Sequence, residues 1–161
     1  MMRREDGDSL RAAWDEHHAR QWRAVLAWAG SPEVASDAVA EAYAQAARRA
    51  ELIDDVGAWT WRASFRIAAG MLADRRLTVP SGGARSPELA APATLPDEVI
   101  AFTTALAGLT DLDRQIVVLC LVGGWSAKEV GQMVGSSPGA VRVRLHRARA
   151  KVLRWMEVSD D

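Results

Sequence analysis

A single cysteine, Cys120, stands in 161 residues, so neither a disulfide framework nor a thiolate metal cluster can be assembled from this chain. Lysine is nearly absent: among 20 basic residues only Lys128 and Lys151 are lysines, and arginine supplies the rest. Neither sign of charge dominates, and the net charge of −1 excludes a uniformly polycationic or polyanionic chain. The longest unbroken apolar run is far short of a membrane span. Met1-Met-Arg-Arg-Glu-Asp-Gly-Asp8 has no apolar core, which argues against a secretory signal and predicts a cytoplasmic protein. No Gly-rich phosphate loop and no nucleophile motif occurs. Asp15-Glu-His-His18 is the one cluster that suggests metal or acid–base chemistry, yet neighbours in sequence diverge around a helix and cannot converge on one ion. His17 is predicted to be partly buried and His18 to lie at the surface. The expectation is no metal, no cofactor and no catalysis.

What is present points to helices. Apolar residues make up 49% of the chain, ample for a core, and Ala, Leu, Arg and Glu outweigh β-branched runs. The length fits one ordinary domain or two small ones. Seven Trp against one Tyr and two Phe suggest that most of the indoles anchor small cores. Cys120, inside Ile116-Val-Val-Leu-Cys-Leu-Val122, is predicted to be a buried thiol.

Four helical segments come first. Ser9 to Trp28 carries Leu10, Trp14, His17, Gln21, Val25 and Trp28 at helical spacing. Gly30-Ser-Pro-Glu33 ends it and opens a second helix, Pro32 to Leu52, with Ser31 as N-cap. Val34, Ala38 and Ala42 face its inner side, while Asp37, Glu41 and Arg48 face outward. After the break Asp54-Asp-Val-Gly57, a third helix runs from Ala58 to Arg76. Residues 77–95, rich in Pro, Gly, Ala and Ser, cannot bury enough surface to order themselves and read as an interdomain linker. Such a linker averages roughly 25 Å end to end but can be drawn out to about 60 Å. It can therefore span more than one turn of duplex, about 34–36 Å. A fourth helix, Pro96 to Ala107, turns Val99, Phe102 and Leu106 inward, and Thr110 caps a fifth that stops at Gly123-Gly124. The expected architecture is all-α: a domain over 1–76, the linker over 77–95 and a second domain over 96–161.

The last third carries the sharpest chemistry. Ser126-Ala-Lys-Glu129 is a capping box, with Val130 and Val134 on one face of the helix it opens and Gly131 leaving room for a second helix to approach. Gly135-Ser136-Ser137 supplies a corner, and Ser137-Pro138 restarts a helix. Along that helix Val141, Leu145, Ala148 and Val152 form an inward stripe, which leaves Val143, Arg144, Arg147 and Lys151 for a major groove. Residues 109–156 hold eight Lys and Arg against three Asp and Glu, whereas residues 1–76 hold eleven against twelve. The positive field is thus local, as phosphate contact requires. In the third helix Trp61, Phe65, Ala68 and Leu72 share an apolar side, and Trp59, Arg62 and Arg66 share the other. An indole between two guanidiniums suits unpaired DNA, where the ring stacks on a base and the charges hold the backbone.

Leu109-Thr-Asp-Leu-Asp-Arg-Gln-Ile-Val-Val-Leu119, Gly124-Trp-Ser-Ala-Lys-Glu-Val-Gly-Gln-Met-Val-Gly135 and Ser137-Pro-Gly-Ala-Val-Arg-Val-Arg-Leu-His-Arg-Ala-Arg149 resemble region 4 of bacterial sigma factors. The resemblance is to the extracytoplasmic-function (ECF) group, whose members hold regions 2 and 4, and the first three helices resemble region 2. It implies a promoter-specificity subunit with RNA polymerase core, through its β′ and β subunits, and promoter DNA as partners; an anti-sigma protein is a further expected partner. Asp37, Glu41 and Tyr43 would then face the β′ coiled coil. Trp59, Arg62 and Arg66 would engage the opened −10 strand. Ser137, Arg142, Val143, Arg144, Arg147 and Lys151 would read or clamp the −35 duplex, Arg144 donating to a guanine and Val143 meeting a thymine methyl. Ala40 stands where the family commonly has Gln, and Ala69-Gly70 where it often has Arg-Asn. The alternative reading is a conventional helix-turn-helix regulator with a helical sensor or dimerisation domain, which leaves the Trp59 face and the acidic helix unexplained.

Overall fold

A computed structural model describes residues 4–78 and 95–159, and among them every regular element is helical. The chain divides into two compact units, residues 1–90 and 91–161. That division falls inside the expected linker, of which residues 79–94 lie outside the described residues.

The N-terminal unit packs three helices: α1 (Arg4–Ala29), α2 (Pro32–Arg48) and α3 (Val56–Thr78). A 3-10 turn, Ala50–Leu52, replaces the last turn expected of α2. Helix α1 starts five residues before Ser9, and α3 runs through Leu77 and Thr78, which were expected in the linker. Ser31 caps α2, its hydroxyl accepting from the Val34 N–H at 3.3 Å, with Pro32 at the first helical position. Arg75 at the far end of α3 ties back to this corner, donating to Ser31 Oγ (3.3 Å) and Glu33 Oε2 (2.9 Å).

Small residues line the seam between these helices. Ala24, Ala35, Ala38, Ala42, Ala46 and Ala68 are all wholly buried, so backbones rather than large side chains set the spacing. Bulk comes from a few anchors: Val25, Trp28, Phe65 and above all Trp61, which is fully enclosed. Only Trp28 and Trp61 of the seven indoles are core residues; Trp22, Trp59 and Trp125 are half-buried, and Trp14 and Trp155 are exposed. Amphipathic indoles settle at the margins because the core of each small unit has little room for them. Gln21 is the polar centre of the core, donating to the Thr60 carbonyl at 2.9 Å and to Ser64 Oγ. His17 and His18 are both half-buried, and His18 stacks on Trp14 with ring centroids 4.4 Å apart.

The C-terminal unit holds α4 (Asp97–Ala107), α5 (Asp111–Val117), α6 (Ala127–Val134) and α7 (Pro138–Ser159). Thr110 caps α5, accepting from the Asp113 N–H at 3.2 Å. Beyond Val117 the helix widens into a π turn, Val118–Val122, closed by the Gly123 N–H on the Val118 carbonyl at 2.9 Å. This widening rotates Cys120 to a half-buried position instead of the buried one expected. Partial burial nevertheless pushes its thiol pKa up, which disfavours the reactive thiolate.

Candidate nucleic-acid interface

The corner between α6 and α7 is built by reciprocal capping. Ser126 Oγ accepts from the Glu129 N–H at 3.2 Å, and Glu129 Oε2 accepts from the Ser126 N–H at 2.8 Å. Ser126→Ala removes half of this exchange and should cost about 1 kcal/mol. We expect the thermal midpoint of the C-terminal unit, followed by circular dichroism, to fall by about 4–8 °C; an unchanged midpoint would show that the box is decorative. Gly135 ends α6 at φ +73°, a left-handed backbone that favours glycine. The chain then folds back so tightly that a Cβ at Gly131 would stand 2.5 Å from the Ser136 carbonyl oxygen. The sequence credits Gly131 with admitting a second helix; the closest approach is by the backbone of the turn itself.

Ser137 restarts the chain as N-cap of α7, accepting from the Ala140 N–H at 3.1 Å. Its hydroxyl hydrogen stays available to an outside acceptor such as a phosphate. Val141, Ala148 and Val152 are buried and Leu145 half-buried, which fixes the inner stripe of α7 as expected. Arg142, Val143, Arg147 and Lys151 are exposed. Helical spacing adds one residue that the sequence reading missed. His146, exposed and three residues after Val143, shares its outer face. That spacing is legible in the sequence, although the arginines dominate the charge pattern of the helix.

Arg144 is exposed too, but paired. Its guanidinium Nη1 donates to Asp113 Oδ1 at 2.7 Å, reaching along the flank of α7 to the first turn of α5. The guanidinium expected to donate to a guanine is thus already engaged on one edge, while the side chain remains 45% exposed.

In the N-terminal unit Arg62 and Arg66 are exposed beside a half-buried Trp59 on one side of α3, as expected. Arg66 also reaches Gln45 Oε1 at 3.5 Å. On α2, Asp37 is exposed, and Glu41 accepts from Gln45 Nε2 (3.0 Å) and Arg48 Nη2 (3.2 Å). These hydrogen bonds, Gln45 first and then Arg48, hold the Glu41 carboxyl below the usual carboxylate range. Tyr43 is a correction: it was expected to face a partner but is only 7% exposed. Its hydroxyl donates to the Ala13 carbonyl (3.1 Å) and Gln21 Oε1 (3.2 Å), and Trp14 meets its ring edge-on. On a helix whose acidic face is set by positions 37 and 41, position 43 falls on the other side. Ala40, Ala69 and Gly70 are all exposed, and a Cβ at Gly70 would meet nothing within 4 Å. The missing side chains at these positions therefore answer to no packing need.

Among the described residues no group of three or more His, Cys, Asp or Glu is placed to hold a metal ion, and no helix is long and apolar enough to cross a membrane.

Comparison with known proteins agrees with this geometry. Residues 100–152 match the family model of sigma-70, region 4. The chain is 30% identical over 152 residues to the ECF RNA polymerase sigma factor SigL of Mycobacterium tuberculosis, a match covering 86% of this chain and 84% of that protein. The chain belongs to the ECF family of RNA polymerase sigma factors. Its function lies in transcription initiation, with RNA polymerase core and promoter DNA as partners. A shorter match, 49% identical over 47 residues, joins this sigma factor to ShbA of Streptomyces griseus and covers 29% of the chain. The fold is shared with the sigma factor RpoE of Bartonella quintana, solved in complex with the anti-sigma factor NepR: the TM-score is 0.68 at 17% identity, over 88% of this chain and 92% of that one. The SigL match extends well beyond the helix-turn-helix, so the conventional-regulator reading is not favoured.

Proposed function

We propose that the two units divide promoter recognition between them. The C-terminal unit takes the −35 duplex through α7, with Arg142, Val143 and His146 turned to base edges and Ser137, Arg147 and Lys151 on phosphates. The N-terminal unit takes the separated −10 strand, Trp59 stacking on a base while Arg62 and Arg66 hold the backbone. Asp37 and Glu41 face the polymerase β′ coiled coil, and β contacts complete the holoenzyme. The protein acts in the cytoplasm and catalyses nothing itself; nucleotide addition belongs to the core enzyme. Since RpoE was solved on an anti-sigma factor, a protein of that kind is a fitting regulator of this chain too.

The observation that supports this best is the corner itself: a satisfied capping box, a left-handed Gly135 and a capped α7 whose cationic side is solvent-exposed. The test is transcription in vitro with purified core enzyme on a promoter library. Run-off products confined to templates sharing two spaced elements are expected. Product from no template, with an active core enzyme, would end the proposal.

A further inference from the structure

Asp113 and Arg144 are 31 residues apart in sequence and joined at 2.7 Å. The carboxylate is largely shielded, its side chain 17% exposed, while the guanidinium is 45% exposed. Asp113 is itself fixed, because its backbone N–H is the one that the Thr110 cap accepts. The pair therefore runs from a rigid helix start to the second turn of α7.

We infer that Asp113 is a positioning residue for −35 recognition, acting through Arg144; this rests on the reading of α7 as the −35 helix. The inner stripe of Val141, Leu145, Ala148 and Val152 decides which side of α7 lies inside. Apolar contact is non-directional, so the stripe alone sets the roll about the helix axis less sharply than a directed bond does. An ion pair on the flank resists it directly, since any roll changes its length. Side-chain tips stand about 5–6 Å from the axis, so a roll of about 10° displaces them by roughly 1 Å. Recognition geometry tolerates only about 0.5 Å. Arg144 is thus the strut of the recognition helix, and Arg142, Val143, His146 and Arg147 are the groups whose placement it decides. Removing the carboxylate also removes a negative charge near the DNA-facing side, so general affinity for duplex should hold or rise while selectivity falls.

The experiment measures, with full-length protein and core polymerase, the ratio of initiation at a preferred −35 element to that at single-base variants across the element. Asp113→Ala and Arg144→Ala should each lower this ratio by roughly tenfold at every read position. The double variant should be no worse than either single one. Asp113→Glu should recover most of the loss, as should the exchange Asp113→Arg with Arg144→Asp. Thermal unfolding followed in parallel gives the folded fraction, and a loss of stability alone would lower yield without changing the base ratio. An unchanged ratio in Asp113→Ala overturns the inference. So does loss at a single base pair in Arg144→Ala, since that marks Arg144 as a reading group. A wild-type protein with no preference at any −35 position overturns the −35 reading and the inference with it.

Discussion

Replacing Trp61 with alanine lowers the stability of the N-terminal unit by about 3–5 kcal/mol, the range for large aromatic truncations in a packed core. Trp61 is wholly enclosed and is the largest such side chain; Phe65 (3% exposed) and Ala68 (0%) are buried with it, and His17 lies edge-on at 6.5 Å. The alanine-lined seam cannot collapse into the space, because its side chains are too short to swing inward. A unit this small has only about 5–15 kcal/mol in total. Calorimetry of the full chain should show the N-terminal transition falling by roughly 12–40 °C, with that of the C-terminal unit unmoved. A fall of less than about 5 °C would mean that the indole is not the anchor described.

Two residues earlier on the same helix the outcome reverses. Trp59→Ala should leave the fold largely intact, since its side chain is only half-buried, and should strike strand opening instead. Base stacking on an aromatic ring is worth about 1–3 kcal/mol, so open complexes should decline by roughly 5- to 150-fold. Permanganate reactivity of unpaired thymines at the −10 element reads this directly. Protection of the −35 duplex should persist, and Trp59→Phe should restore part of the opening. Wild-type permanganate reactivity in Trp59→Ala would remove Trp59 from the −10 assignment.

The contrast between these indoles shows what the sequence makes legible. Period 3.6 separates Trp61 from Trp59 correctly, because α3 has one strongly apolar side. Caps were equally readable: Ser31, Thr110, Ser126 and Ser137 all accept the expected N–H, as a short-range rule needs only neighbouring residues. Tyr43 failed for the opposite reason. Helical spacing from Asp37 and Glu41 already turns it inward, but its hydroxyl partners Ala13 and Gln21 come from another helix, and a local pattern contains no trace of them. The ion pair of Arg144 was invisible likewise, since its partner Asp113 lies 31 positions away. The π turn at Val118–Val122 was hidden because a uniform apolar run offers no punctuation where the spacing changes.

The seam of wholly buried alanines in the N-terminal unit makes it hard to alter in either direction. Every single-base change in an alanine codon that alters the residue gives a bulkier one, glycine excepted. Bulk there forces helices apart at about 1–3 kcal/mol, and glycine costs about 0.5–1 kcal/mol in helix propensity. Variation in this unit is therefore steered to its solvent-facing positions, which are the ones that meet other molecules.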